Sequence, residues 1–256
     1  MIRIMFKVGQ FVTRKSYGND VAFMITDIKN NVCYLQGVSV RLFADSPIGD
    51  LVKCDGKELD VFSPDIDDYR ILDREDYFYL PGKILHLDGS KEYLSKCLNF
   101  YKHNKLRAFG KYLPESKFAE EVFELLEKYK PNILVLTGHD AATKRGNNEK
   151  YKNTGYFVNA VREARRYEKS HEKLLIIAGA CQSDYEDLIR AGANFASSPK
   201  RVNIHALDPA IIASCLAFSN ISKDIDLIKI LGKTKYGSDG IGGIITKGTM
   251  YVGYPR

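Results

Sequence analysis

Cys181 and His139 are the two residues whose chemistry and placement belong together. A thiolate is a strong nucleophile, and an imidazole is the side chain suited to moving protons near neutral pH. Each follows an aliphatic run. Ile133-Leu134-Val135-Leu136 leads into Thr137-Gly138-His139-Asp140, and Leu174-Leu175-Ile176-Ile177 leads into Ala178-Gly179-Ala180-Cys181. Such runs mark strands buried on both faces. The two residues lie 42 positions apart, room for strand, loop, helix and strand. One crossover of that kind delivers both side chains to the carboxyl edge of a parallel sheet, where ligands bind. Cys181 also lies just before a helix start, whose unpaired N–H groups and dipole favour a thiolate. The N–H of Cys181 and one near Gly138 would form an oxyanion hole. Gly179 and Ala180 leave room for a substrate backbone. His139 would keep the thiol reactive and protonate a leaving amine.

Taken singly, neither residue carries the argument, because buried cysteine is a common core residue and a lone histidine after a strand is usually a polar cap. The pair, at one sheet edge after the two strongest apolar runs, does. His86 ends another short run beside Asp88 and could line the same cleft. His205 follows a further short run. Cys215 sits in the apolar Ile211–Leu216 stretch, Cys97 on an apolar helix face, and Cys33 and Cys54 in the N-terminal region. Five dispersed cysteines without CxxC or CxH spacing exclude a disulfide framework and a zinc site, and imply a reducing compartment. No metal and no cofactor is expected.

Two kinds of element must position these groups. Residues 1–60 have strand grammar: an apolar run at Phe6, Val8, Phe11 and Val12, a turn at Tyr17–Asp20, and alternation at Val21, Phe23 and Ile25. A second turn at Lys29–Asn31 leads to Val32, Tyr34 and Leu35, and Val38–Phe43 alternates again. Four or five short strands with tight turns suggest a small SH3- or Tudor-like β-barrel. Two readings of it stand equally: peptide or nucleic-acid binding, and simple packing on the larger domain. Residues 61–76 are acidic (Asp65, Asp67, Asp68, Asp73, Glu75, Asp76) and read as a linker. From 77 to 256 strands and helices alternate, which predicts a parallel sheet covered by helices on both faces. Ser90 caps one helix, Pro114 opens the next, and Ser183 or Asp184 caps the helix after Cys181. A polar loop is expected over 141–155, and a closing hairpin pairs Gly243–Thr246 with Met250–Gly253.

The chain has 256 residues and a formal net charge of +6, a mild excess that reads as a solvated basic surface. No stretch approaches a membrane span, and the N-terminus lacks the apolar run of a signal peptide. A location in the cytoplasm, with no membrane partner, is the expectation.

An apolar strand before histidine and another before Ala-Cys resembles the caspase-like cysteine peptidases, whose flavodoxin-like sheet would then be expected here. That family has glycine after its histidine, whereas here Gly138 precedes His139. The stretches Val8-Gly9-Gln10-Phe11-Val12-Thr13-Arg14-Lys15-Ser16-Tyr17-Gly18-Asn19-Asp20, Leu136–Asp140 and Gly179–Ser183 narrow the likeness, over essentially the whole chain, to the YabG family of sporulation peptidases. The resemblance implies a cysteine endopeptidase that processes spore coat and cortex-associated proteins, cleaves after basic residues, chiefly arginine, and uses His139 and Cys181 as its dyad. It also implies a cell in sporulation, with association to the spore coat as an option. An arginine pocket needs a carboxylate, for which Asp140, Asp184 and Asp208 are candidates. Lys144 and Arg145 are candidate self-cleavage points in the polar loop, whose rival reading is a solvated basic surface. No nucleic-acid partner is expected.

Two other functions compete. Gly179–Ser183 loosely matches the nucleophile elbow of amidases and glutamine amidotransferases, in which case His205 would replace His139. A non-catalytic spore-associated binding protein would instead use the barrel and the positive charge.

Overall fold

The computed structural model of the protein describes residues 6–55, 62–70, 77–140, 142–145, 148–151 and 153–254. It comprises two compact units, Met1–Ser63 and Pro64–Arg256.

In the first unit β1 (Phe11–Arg14), β2 (Phe23–Lys29), β3 (Val32–Gly37), β4 (Phe43–Pro47) and β5 (Leu51–Lys53) form one antiparallel sheet in the order β4-β3-β2-β1-β5. Alternation buries Val12, Phe23, Ile25, Cys33 and Leu35 on one face. Asn30 and Asn31 both adopt positive φ (49° and 63°), which the tight β2–β3 hairpin requires. One expectation is corrected: of the run Val38–Phe43 only Phe43 enters a strand, β4, because Leu42 O accepts from Gly37 N and folds the chain back before β4 starts. Among the described residues β4 and β5 are the edges of this sheet and do not pair with each other.

The second unit begins with α1 (Asp67–Arg70) and β6 (Phe78–Leu80), followed by β7 (Ile84–Asp88), α2 (Lys91–His103), β8 (Ala108–Tyr112), α3 (Phe118–Tyr129) and β9 (Ile133–Thr137). Then come β10 (Ala142–Arg145), β11 (Asn148–Tyr151), α4 (Thr154–Tyr167), β12 (Leu175–Ala178), α5 (Tyr185–Ala191), β13 (Phe195–Ser197) and α6 (Asp208–Phe218). The chain finishes with α7 (Leu227–Leu231), α8 (Gly237–Gly240), β14 (Ile241–Gly243) and β15 (Tyr251–Gly253). Six strands make the main sheet, ordered β14-β13-β12-β9-β7-β8, all parallel except β14. Read from β8, the parallel strands follow the doubly wound order 2-1-3-4-5, whose switch point lies between β7 and β9.

Side-chain alternation assigns the two faces. Leu85, Leu87, Leu134, Leu136, Ile176 and Ala178 pack with α3, α4 and α5 in one buried cluster. The alternate positions face α2 and α6, which also touch each other. Ser90 caps α2 by accepting from Tyr93 N, and Asp184 caps α5 by accepting from Asp187 N.

Three further expectations are corrected in this unit. The segment 141–155 contains the antiparallel pair β10–β11 instead of being loop throughout. The closing hairpin does not form: β14 joins the main sheet beside β13, and β15 pairs with β6. Glycine decides the first of these, since a side chain at Gly243 would strike the Phe195 ring at 2.5 Å. Of the acidic segment, residues 64–70 belong to the second unit, where Ile66 is buried and Asp68 pairs with Lys229 and Lys233 at 2.8 and 2.9 Å. Asp73, Glu75 and Asp76 lie outside the described residues.

Candidate active site

The β9–β12 register pairs Ile133 with Leu175 and Leu136 with Ala178, a constant offset of 42. The next backbone link, Gly179 N donating to Leu136 O at 3.0 Å, keeps the two chains side by side past the strand ends. His139 and Cys181 lie beyond these strand ends at the same offset in sequence, and each has a neighbour on the α2/α6 side of the sheet. The His139 ring lies 5.9 Å from that of Tyr93 on α2. The Cys181 sulfur meets the backbone of Ile204, just ahead of α6.

Cys181 sits in a tight turn. Gly179 has φ +109°, and a Cβ there would press on Leu188 Cδ1 at 2.9 Å. Gln182 also has positive φ. Ser183 Oγ accepts from Ala180 N and donates to Asp140 Oδ2, closing the turn and tying it to β9. Gln182 N donates to Ser198 Oγ. The sulfur is fully buried: its S–H donates to Ile204 O at 3.7 Å, and Ile204 N donates to it at 3.2 Å. The helix expected after Cys181 is α5, capped by Asp184 and starting four residues on, at Tyr185. The N–H that faces sulfur comes from Ile204 instead, across 23 residues. The segment Ser198–Leu207 thus lies over the thiol, held by Ser198 Oγ donating to Val202 O at 2.6 Å and His205 N donating to Asp208 Oδ2 at 2.8 Å.

His139 is held by a residue that sequence reasoning missed. Glu115 Oε1 accepts from His139 N at 2.8 Å and lies 3.1 Å from His139 Nδ1. Burial pushes the Glu115 carboxyl up, but the bonds from the His139 side chain and from backbone N–H groups outweigh it, so the net shift is below its ordinary value. Glu115 follows β8, the strand across the switch point. No motif links it to His139; its position one residue after Pro114, at a third strand end of the same edge, was the available signal.

The other sequence candidates divide. His86 is fully buried and lines no cleft: Nδ1 lies 3.0 Å from Tyr101 Oη and Nε2 2.8 Å from Thr137 Oγ1. Thr137 donates in turn to Asp88 Oδ2 at 3.0 Å. Both ring nitrogens of His86 are thus engaged inside the fold. Asp140 is also buried, accepting from Asn153 N, Thr154 Oγ1 and Ser183 Oγ. Asp208 accepts from His205 N and Lys235 N inside the fold. Neither acid is placed to meet a substrate guanidinium. Asp184 caps α5 at an intermediate exposure. Lys144 and Arg145 lie on β10; their side chains fall outside what is described. His205 Nδ1 accepts from Leu207 N at 3.1 Å, one residue from the Ile204 contact with sulfur.

Among the described residues no group of three or more His, Cys, Asp or Glu side chains could hold a metal ion. No helix described is long and apolar enough to cross a membrane. A groove of about 700 Å³ runs along β8, lined by Tyr101, Lys102, Lys105, Arg107 and Phe109 among others; neither Cys181 nor His139 lines it.

Comparison with known proteins adds the class of reaction. The family described as "YabG peptidase U57" matches residues 7–70 and 65–255. The chain is 40% identical to the "Sporulation-specific protease YabG" of Bacillus subtilis (strain 168), over 98% of this chain and 99% of that protein. No solved structure matches. With both matches spanning nearly its whole length, the chain belongs to the YabG peptidase family and is a peptidase associated with sporulation.

Proposed function

We propose that this chain is a cysteine endopeptidase of the sporulating cell, caspase-like in its second unit, with Cys181 as nucleophile and His139 as acid–base partner. The observation that supports the reading is the register of β9 and β12, whose offset of 42 from Ile133–Leu175 to Leu136–Ala178 is the same as that between His139 and Cys181 just beyond the strand ends. In the reaction His139 takes the thiol proton, and Sγ attacks the carbonyl carbon of the scissile bond. The C–N bond breaks as His139 returns the proton to the leaving amine. Water, deprotonated by the same imidazole, then hydrolyses the thioester and regenerates the thiol. The N–H groups of Cys181 and Gly138 would receive the developing oxyanion. For this to happen Ile204 must leave the sulfur, so the described conformation is a closed one. Substrates are spore coat and cortex-associated proteins in the cytoplasm of the sporulating cell, cut after basic residues and chiefly arginine. Asp184 is the partly exposed acid among the three candidates for holding that side chain.

Purified protein, Cys181→Ala, His139→Ala and His205→Ala should each be incubated under reducing conditions with a peptide library. Cleavage after arginine by the first and by His205→Ala, and none by the other two, is the expected result. No cleavage by any of them defeats the reading. Loss in His205→Ala with retention in His139→Ala hands it to the amidase-like arrangement.

A further inference from the structure

We infer that Glu115 is the positioning residue of the dyad, seated in a gap made for it by Gly89 and Gly138. The inference rests on the His139–Cys181 reading and adds a third group to it. One carboxylate oxygen engages both His139 N and His139 Nδ1, so backbone and ring are fixed together. A single hydrogen bond to the ring alone would let it rotate about χ1. Gly89 and Gly138 continue β7 and β9 at positions that alternate onto the α3 face, the side from which Glu115 arrives. An added Cβ would lie 2.1 Å from Glu115 Oε1 at Gly89 and 2.4 Å at Gly138. Neither glycine has the positive φ that would explain its choice on backbone grounds. Their common feature is the carboxylate that occupies the space. Because Gly89 follows β7 and Gly138 follows β9, the carboxylate lies at the switch point of the sheet.

With Nδ1 held by an acid, Nε2 is the nitrogen that exchanges a proton with sulfur and the leaving amine. The carboxylate fixes the tautomer and balances the imidazolium formed during reaction, as the acid of a serine-protease triad does. It touches neither substrate nor sulfur in this role, so its effect should appear in kcat rather than in KM.

The test uses full-length protein and a fluorogenic peptide amide with arginine before the scissile bond. Glu115→Gln keeps the shape and removes the charge. Gly138→Ala and Gly89→Ala displace the carboxylate without removing any atom of the dyad, and Gly89→Ala also leaves the proposed oxyanion donor at Gly138 unchanged. All three should stay folded by thermal unfolding and lose about 10–100-fold in kcat, with KM within about twofold. The far-downfield proton resonance of a carboxylate-bonded imidazole N–H, identified by its loss in His139→Ala, should vanish in Glu115→Gln and weaken in the glycine variants. Wild-type kcat in Glu115→Gln overturns the inference. So does an unchanged kcat with a raised KM for arginyl but not alanyl substrate, which would make Glu115 a substrate-binding acid. If Cys181→Ala keeps activity, the dyad itself falls and Glu115 with it. If Cys181→Ala and His139→Ala are dead while Glu115→Gln is not, only the positioning role falls.

Discussion

Two carboxylates flank the candidate histidine, and their hydrogen bonds separate their work. Asp140 accepts from Asn153 N, Thr154 Oγ1 and Ser183 Oγ, joining the start of α4 and the Cys181 turn to the end of β9. Removing it leaves two buried hydroxyls and a half-buried N–H without this acceptor. Asp140→Ala should lose about 3 kcal/mol or more in urea unfolding, and its residual activity should keep the wild-type preference for arginine. Glu115 touches His139 instead. Its folded carboxyl lies below the ordinary 4.5. A depressed acid contributes stability that is fully present above its unfolded value and fades as pH falls through its folded value. Unfolding free energy should therefore drop as pH falls below about 4.5, and Glu115→Gln should show a flatter dependence in that acid range. A steeper dependence in the variant would contradict the direction of the shift.

At the scale of elements, the feature that governs access is the segment Ser198–Leu207. It enters α6 through Asp208, and Ile204 covers the sulfur on the way. Ser198 holds its near end twice, accepting from Gln182 N and donating to Val202 O, with φ at +70°. Ser198→Ala removes both bonds. The expected outcome is alkylation of Cys181 by iodoacetamide about tenfold faster than in wild type, the equivalent of ~1.4 kcal/mol of local stability. Peptide mapping by mass spectrometry reads it out. An unchanged rate would mean that the sulfur is reached by another route.

On the scale of the whole molecule, each unit carries its own core, and the second begins before its main sheet does. Ile66 is buried and Asp68 is held by Lys229 and Lys233. A chain starting at Pro64 should unfold cooperatively on its own. One starting at Tyr77 should be less stable than that by roughly 2–3 kcal/mol, mostly from the exposed surroundings of Ile66, with little from the partly exposed ion pairs. Guanidinium melts of the two fragments test this, and equal midpoints would show that residues 64–70 contribute nothing.

Much of the architecture was legible in the amino-acid order. Aliphatic runs at 133–136 and 174–177 announce buried parallel strands, and Ser90 and Asp184 announce their helices, because burial and capping act over a few residues. The hairpin drawn at the C-terminus failed for the opposite reason. β14 and β15 take partners more than 40 and 170 residues away, at Phe195 and Phe78, and local grammar does not name distant partners. The same division runs through the site. Sequence alone set Cys181 and His139 at strand ends 42 residues apart, and the register kept that number. Only the tertiary structure brought Glu115 to His139, covered the sulfur with Ile204, and turned His86, Asp140 and Asp208 inward. Those outcomes depend on strand order and on the space left by small residues, which hydrogen bonding and packing decide once the sheet has assembled.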